Sequence, residues 1–194
     1  MSEALEPLLA EIRACRVCAD FLPHEPRPVI RAGAGARILI IGQAPGTRVH
    51  ASGKPFTDPS GDRLRDWMGV DEAQFYDENF IAISPMGFCF PGLDSKGSDL
   101  PPRRECAPLW QARVRSALPE IRLVLLVGNY AQRCHLGSRA HKTLTGTVRA
   151  AESFMPDYLP LPHPSWRNNA WIKKNPWFES EILPMLRRSI KNLS

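Results

Sequence analysis

Four groups of residues in this 194-residue chain are of types that do chemistry. The stretch Gly42-Gln43-Ala44-Pro45-Gly46 follows the apolar run Ala36–Ile41, and its glycines let backbone amides come close to a bound group. It has neither the Lys-Ser/Thr ending of a phosphate loop nor the Gly-x-Gly-x-x-Gly of a dinucleotide site, so a ligand loop and a tight structural turn both fit it. Downstream, Asp58 can activate water or stabilise a cation, or it can cap a helix around Ser60–Leu64. His163 stands between Pro162 and Pro164 in a stiff polar loop, which favours a functional imidazole over a core one. Cys15 and Cys18 form a Cys-x-x-Cys pair, which in a reducing compartment reads as a metal or redox site rather than a structural disulfide.

Residues so far apart must be brought together by regular elements. The runs Ala36–Gly42, Asn79–Pro85 and Arg122–Gly128 read as buried strands, and Tyr158–Ser165 as a weaker, proline-broken one that delivers His163 to a loop. Residues 3–14 carry Leu5, Leu8, Leu9 and Ile12 at amphipathic-helix spacing. Ser60 suits the N-cap of a helix that stops at Gly69, and the residues after Gly128 read as helical. Asn175 and Pro176 suit the start of a last helix that kinks or breaks near Pro184. Strands alternating with helices predict an α/β fold, a three-layer sandwich around a central, mostly parallel, four-stranded sheet. Ligands of such sheets bind beyond the carboxyl ends of the strands, where stretches 42–60, 84–104 and 162–175 all fall.

Hydrophobic residues make up 43% and charged residues 23%, so residues 1–194 are expected to form one domain with a full core. Nineteen prolines, about twice ordinary usage, predict stiff loops and short helices. A net charge of +5 is compatible with a polyanionic partner. No apolar run approaches the ~18–20 residues of a membrane span. Glutamates precede any arginine at the start, unlike a secretory leader, so a cytoplasmic monomer is expected.

Taken together, Gly42–Gly46, the segment Gly53-Lys54-Pro55-Phe56-Thr57-Asp58-Pro59-Ser60-Gly61 and His163-Pro164-Ser165-Trp166-Arg167-Asn168 resemble the motif set of the uracil-DNA glycosylase superfamily. The resemblance covers roughly residues 8–190. The first two motifs are nearest to family 4, and the last is similar to the His-Pro-Ser-Pro-Arg-Asn of the single-strand-selective monofunctional glycosylases. It implies base excision repair of DNA: the enzyme flips a damaged nucleotide into a pocket and hydrolyses its N-glycosidic bond. Gly42, Ala44, Phe56 and Ser84 would contact the base, with Phe56 stacked on it. His163 would donate a hydrogen bond to the leaving base. Gly46, Ser60, Ser165, Arg167 and Asn168 would face the DNA backbone, with Arg167 at the position of the wedge residue. After Cys15 and Cys18, Cys89 follows with 70 residues between and Cys106 with a further 16 between, similar to the family 4 set that holds a [4Fe-4S] cluster. Four thiolates also suit Zn²⁺. Cys134 is left over and reads as a small core residue.

The chain departs from the family pattern in its carboxylates and its base reader. Gln43 stands where family 4 has glutamate; an amide positions water or a base but cannot act as a general base. Ala44 stands where family 1 has its aspartate. Asp58 is the nearest carboxylate, similar to the aspartate of a Phe-Thr-Gly-Asp segment in family 5. Gln43, Asp58 and His163 are thus the expected catalytic residues. Ser84 and Pro85 occupy the positions of a Thr-Asn pair that reads uracil, so hypoxanthine or xanthine is an alternative base. No lysine stands in these motifs as a Schiff-base nucleophile, which implies a monofunctional enzyme. The alternative is a catalytically weak module that binds damaged or single-stranded DNA. Of the remaining histidines, His50 alone lies in the first loop, where it can approach a substrate; Trp177 is expected to pack the last helix.

Overall fold

The computed structural model describes residues 4–194. Four short strands, β1 (Ile38–Ile41), β2 (Ile81–Ile83), β3 (Leu123–Val127) and β4 (Tyr158–Leu161), form one sheet in the order β2-β1-β3-β4. All three pairings are parallel, with Ile38 opposite Ile81 and Leu123, and Val124 opposite Tyr158. The reason lies in composition: every residue of β1, β2 and β3 is buried, as a sheet covered on both faces requires.

Side chains alternate along each strand between two separate cores. Leu39, Ile41, Ala82, Val124 and Leu126 face one core with α1 (Leu5–Arg13), α5 (Cys106–Ala117) and α6 (Asn129–Leu136). Ile38, Ile40, Ile81, Ile83, Leu125 and Val127 face the other, with α3 (Pro59–Met68), α4 (Glu72–Phe75), α7 (Leu144–Arg149) and α9 (Leu183–Lys191). The expected three-layer sandwich is therefore present. Leu5, Leu8, Leu9 and Ile12 of α1 are buried as their spacing predicts; residue 3 of that expected helix lies outside the described residues. Among the described residues the longest α-helix has 12 residues, in keeping with the proline content, and no helix is long and apolar enough to cross a membrane.

Several helix ends differ from expectation. Asp58, not Ser60, caps α3: its Oδ1 accepts from Gly61 N at 3.3 Å, Pro59 takes the first helical position, and Ser60 is buried inside the first turn. Asn175 does not cap the last helix with its side chain, which instead donates to Trp171 O at 2.7 Å at the end of α8 (Asn169–Lys174). Pro184 does not break that helix. A π-helical turn over Phe178–Ile182 leads directly into α9, a local distortion just before Pro184 of the kind that accompanies a kink, the other half of the expectation. Cys134 is exposed rather than a core residue. Trp177 packs as expected, edge-on to Trp171 at 5.7 Å, and Trp171 Nε1 donates to Thr145 Oγ1 at 2.8 Å.

One close approach fixes the junction between the first loop and α3. A Cβ on Gly61 would lie 1.8 Å from the carbonyl oxygen of Phe56, so no other residue fits there without moving backbone. Gly61→Ala should destabilise the fold by about 3 kcal/mol, the upper end for overpacking. Thermal unfolding should then show a midpoint lowered by roughly 10 °C.

Candidate active site

At the carboxyl ends of the strands lies an open cleft of about 580 Å³. It sits beside β1, where the chain order reverses across the sheet, the place where α/β sheets bind ligands. The Gly42–Gly46 loop forms its floor. That loop is not free backbone, because the β1–β2 ladder continues past the strands: Ser84 N donates to Ile40 O (2.9 Å), Met86 N to Gly42 O (2.9 Å) and Gly87 N to Gln43 O (3.0 Å). Buried Gln111 donates to Pro85 O at 2.8 Å and fixes the second wall. Gln43, Ala44 and Gly46 all line the cleft. After Gly46 the chain enters α2 (Thr47–Ser52), whose last turn is held by Arg27, donating to His50 O (2.6 Å) and Ala51 O (2.7 Å).

Phe56 lines the cleft in a left-handed backbone conformation, φ 57°, which costs a bulky residue energy and persists only when the surroundings enforce it. The enforcing contacts are visible. Tyr76 OH donates to Pro55 O (2.7 Å) and lies 3.1 Å from Phe56 O, and Arg65 donates to Phe56 O at 3.3 Å. The ring meets Phe75 edge-on at 6.0 Å, and its tip lies 3.5 Å from where a Cβ on Gly42 would stand. A half-buried aromatic face is thus held against the floor of the cleft.

His163 forms the opposite wall. Its Nδ1 accepts from Ser165 N at 3.3 Å, so the neutral ring carries its proton on Nε2 and presents a hydrogen-bond donor. Burial holds the imidazole below its ordinary value; Asp58 opposes that shift and Arg167 adds to it. Asn168 Nδ2 donates to His163 O (2.7 Å), while Arg63 of α3 donates to Ser165 O (3.1 Å) and Asn169 Oδ1 (2.8 Å). Buried Gln132 bridges the ends of β3 and β4, donating to Leu161 O at 2.9 Å. The ring is thus held by Ser165 N, and the loop that carries it by its own following turn, by α3 and by α6.

Two carboxylates border the same cleft: Asp58 and Asp99. Asp58 divides its duties, one oxygen capping α3. Asp99 was not singled out by the sequence; it is raised by partial burial and by Asp58 nearby, while Arg167 pulls it down. The structure thus gathers Gly42, Gln43, Ala44, Gly46, Phe56, Asp58, Ser60 and His163 around one cleft. Ser84 is placed elsewhere: it is fully buried beneath the wall, its Oγ 3.5 Å from Gln111 Nε2, and its neighbours Ile83 and Pro85 line the cleft instead. Arg167 is exposed at the rim beside Trp166, which is 72% exposed and so does not pack the fold. His50 turns from the cleft towards His24 and Phe90, with ring centroids 4.9 and 5.8 Å away.

A second cavity, of about 370 Å³, brings Cys15, Cys18, Cys89 and Cys106 together with Leu22, Phe88 and Trp110. Burial pushes the Cys89 thiol up to about 11 and that of Cys106 up to about 12. Phe88 N donates to Cys106 Sγ at 3.3 Å. Among the described residues, no three His, Cys, Asp or Glu side chains close around a single metal-ion position.

Residues 31–187 match the family model of the uracil DNA glycosylase superfamily, and the chain belongs to that superfamily. A solution NMR structure from Methanosarcina acetivorans, described as a candidate uracil DNA glycosylase, is 16% identical. That alignment covers 81% of this chain and 93% of the other, with a TM-score of 0.48.

Sequence reasoning missed Asp99, Gln111, Gln132 and Arg63. Gln111 and Gln132 are buried behind the site, Arg63 reaches from α3 to the His163 loop, and Asp99, itself exposed, borders the cleft. Burial also sets a pH dependence. The imidazoles of His50, His135 and His163 are all pushed below the usual 6.5 by burial, so the unfolded chain binds protons that the folded one refuses. Their stabilising contribution is complete above pH 6.5 and is lost as the pH falls through the folded values. Thermal unfolding should occur at lower temperature at about pH 5.5 than at about pH 7.5, and His135→Gln should flatten that slope.

Proposed function

We propose that this protein is a monofunctional DNA glycosylase that removes a deaminated base, by hydrolysis of its N-glycosidic bond, from a nucleotide flipped into the 580 Å³ cleft. The observation that carries the reading is the neutral His163, its proton on Nε2, across a cleft from a strained Phe56 and beside Asp58. Cleavage sends the bonding electron pair to the base and leaves positive charge on the sugar. A donor aimed at the base oxygen gains strength as that charge develops, and costs no reorganisation at that moment. Phe56 stacks on the base, His163 donates to its carbonyl oxygen, and the charge of Asp58 stabilises the sugar cation. Gln43 hydrogen-bonds the base or a water.

Pro85 offers the wall no side-chain donor, so the Gln43 amide, loop backbone and His163 are left to read the base. Uracil and the deaminated purines, each of which carries at least one ring carbonyl able to accept a hydrogen bond, are the substrate class. The Gly46 amide, Ser60, Ser165 and Arg167 contact the DNA backbone. Asn168, whose amide is committed to His163 O, acts by holding that loop.

The four-cysteine cavity is where a [4Fe-4S] cluster, or alternatively Zn²⁺, would be held. All four thiols line one apolar cavity, and one already receives a backbone N–H, as metal-bound sulfurs do. Cys15, Cys18, Cys89 and Cys106 would hold the group, which would fasten the N-terminal segment and the loop after β2 to α5. Anaerobically purified protein should contain iron and acid-labile sulfide in equal amounts, lost together in Cys106→Ala; zinc without sulfide would overturn the cluster.

A binding module is the second reading, favoured by the absence of a carboxylate at Gln43 and Ala44. Base release from otherwise identical oligonucleotides carrying uracil, hypoxanthine or xanthine, single-stranded and duplex, separates the two. Hot alkali would expose the abasic sites. His163→Ala should lower release by about 10²–10³. Asp58→Asn keeps the cap, since asparagine caps as well as aspartate, so its expected loss of about tenfold reports charge alone. DNA binding without release from any substrate would establish the module.

A further inference from the structure

The glycosylase reading leaves one role unfilled: nothing in the Gly42–Gly46 loop can take a proton from water. Asp58 borders the cleft, but one of its oxygens is held by the first turn of α3. On a different element, a second carboxylate reaches the same space.

Asp99 closes a small hairpin in the stretch between β2 and α5. Leu93 and Asp99 form an antiparallel bridge, and Leu100 N donates to Gly92 O at 2.9 Å. The turn between them is ordered by Asp94, whose Oδ1 accepts from Lys96 N and Ser98 N, both at 2.8 Å. Gly97, at φ 76°, supplies the left-handed residue that the turn needs. The base of the hairpin lies over the first loop. A Cβ placed on Gly46 would stand 3.5 Å from Asp99 Oδ2, in contact with the carboxylate. Within the described residues Asp99 makes no side-chain hydrogen bond or ion pair, so both oxygens are open to the cleft.

We propose that Asp99 is the general base of the reaction, accepting the proton of the water that attacks the sugar. This inference rests on the glycosylase reading. The charges facing Asp99 are Asp58 from the head of α3 and Arg167 from the rim, with His163 across the cleft. A carboxylate that partial burial raises and that lacks a fixed partner is suited to accept a proton, while Asp58, with one oxygen held by the first turn of α3, is left to face the cation. In the balanced step, the C1′–N bond breaks with its electron pair going to the base. Water oxygen then bonds to C1′, its proton passes to an Asp99 oxygen, and the departing base is protonated from solvent.

The test uses single-turnover release from the oligonucleotide that the wild type cuts best, together with the Kd for the same DNA. Asp99→Asn should slow release by about 10²–10³ while leaving Kd within about threefold, and Asp99→Glu should recover part of the rate. The Leu93–Asp99 bridge is made by backbone, so the hairpin survives both changes; Asp99→Ser serves as a second variant of the same charge. A rate for Asp99→Asn within about threefold of wild type, or tighter DNA binding with undiminished turnover, would overturn the inference and mark Asp99 as a charge that merely repels phosphate. A wild type that releases no base from any substrate would instead overturn the glycosylase reading, and the inference with it.

Discussion

The site depends on the hydrogen-bond ladder between β1 and β2 running on after the strands have ended. Ser84 continues the ladder to Ile40, and two further backbone bonds, from Met86 and Gly87, tie the floor of the cleft to the wall after β2. A glycine-rich loop would otherwise have many conformations, and fixing one residue's backbone costs ~1–2 kcal/mol in entropy. Here that cost is met by the same kind of bond that builds the sheet. The chemistry of Gln43 is therefore positioned by the fold itself rather than by side chains recruited from elsewhere.

His163 and Phe56 show the opposite strategy. Each is held by a shell of contacts from distant parts of the chain. Tyr76 and Arg65 secure the strained Phe56 backbone, and Asn168, Arg63 and Gln132 secure the His163 loop. The two groups that would touch a base are rigid, whereas Arg167 and Trp166 at the rim are exposed. The interior of the cleft is thus heavily braced, while its rim is left to solvent.

The sheet was legible because buried parallel strands leave continuous apolar runs, and α1 because its four apolar residues keep helical spacing. The cleft was legible because glycine, proline and histidine punctuate the ends of those runs. Cap assignment failed at Ser60, since Asp58 followed by proline is an equally good start and only geometry chooses between them. Asp99 was hidden because an aspartate in a polar hairpin has no periodicity to mark it; its meaning comes from Gly46, more than fifty positions earlier in the chain. Cys134 misled for the reverse reason, as cysteine usually goes inward but here sits on the solvent side of α6.

The cysteine cavity is assembled from the end of α1, the loop after β2 and the start of α5. During translation, Cys15 and Cys18 emerge early, but the set of four is complete only when Cys106 has been made, about 90 residues later. At ~5–20 residues per second the ribosome leaves the set incomplete for several seconds or more. The first helix, whose apolar face packs on α5, waits with them. The beginning of the chain thus takes its final place only after its middle has been made.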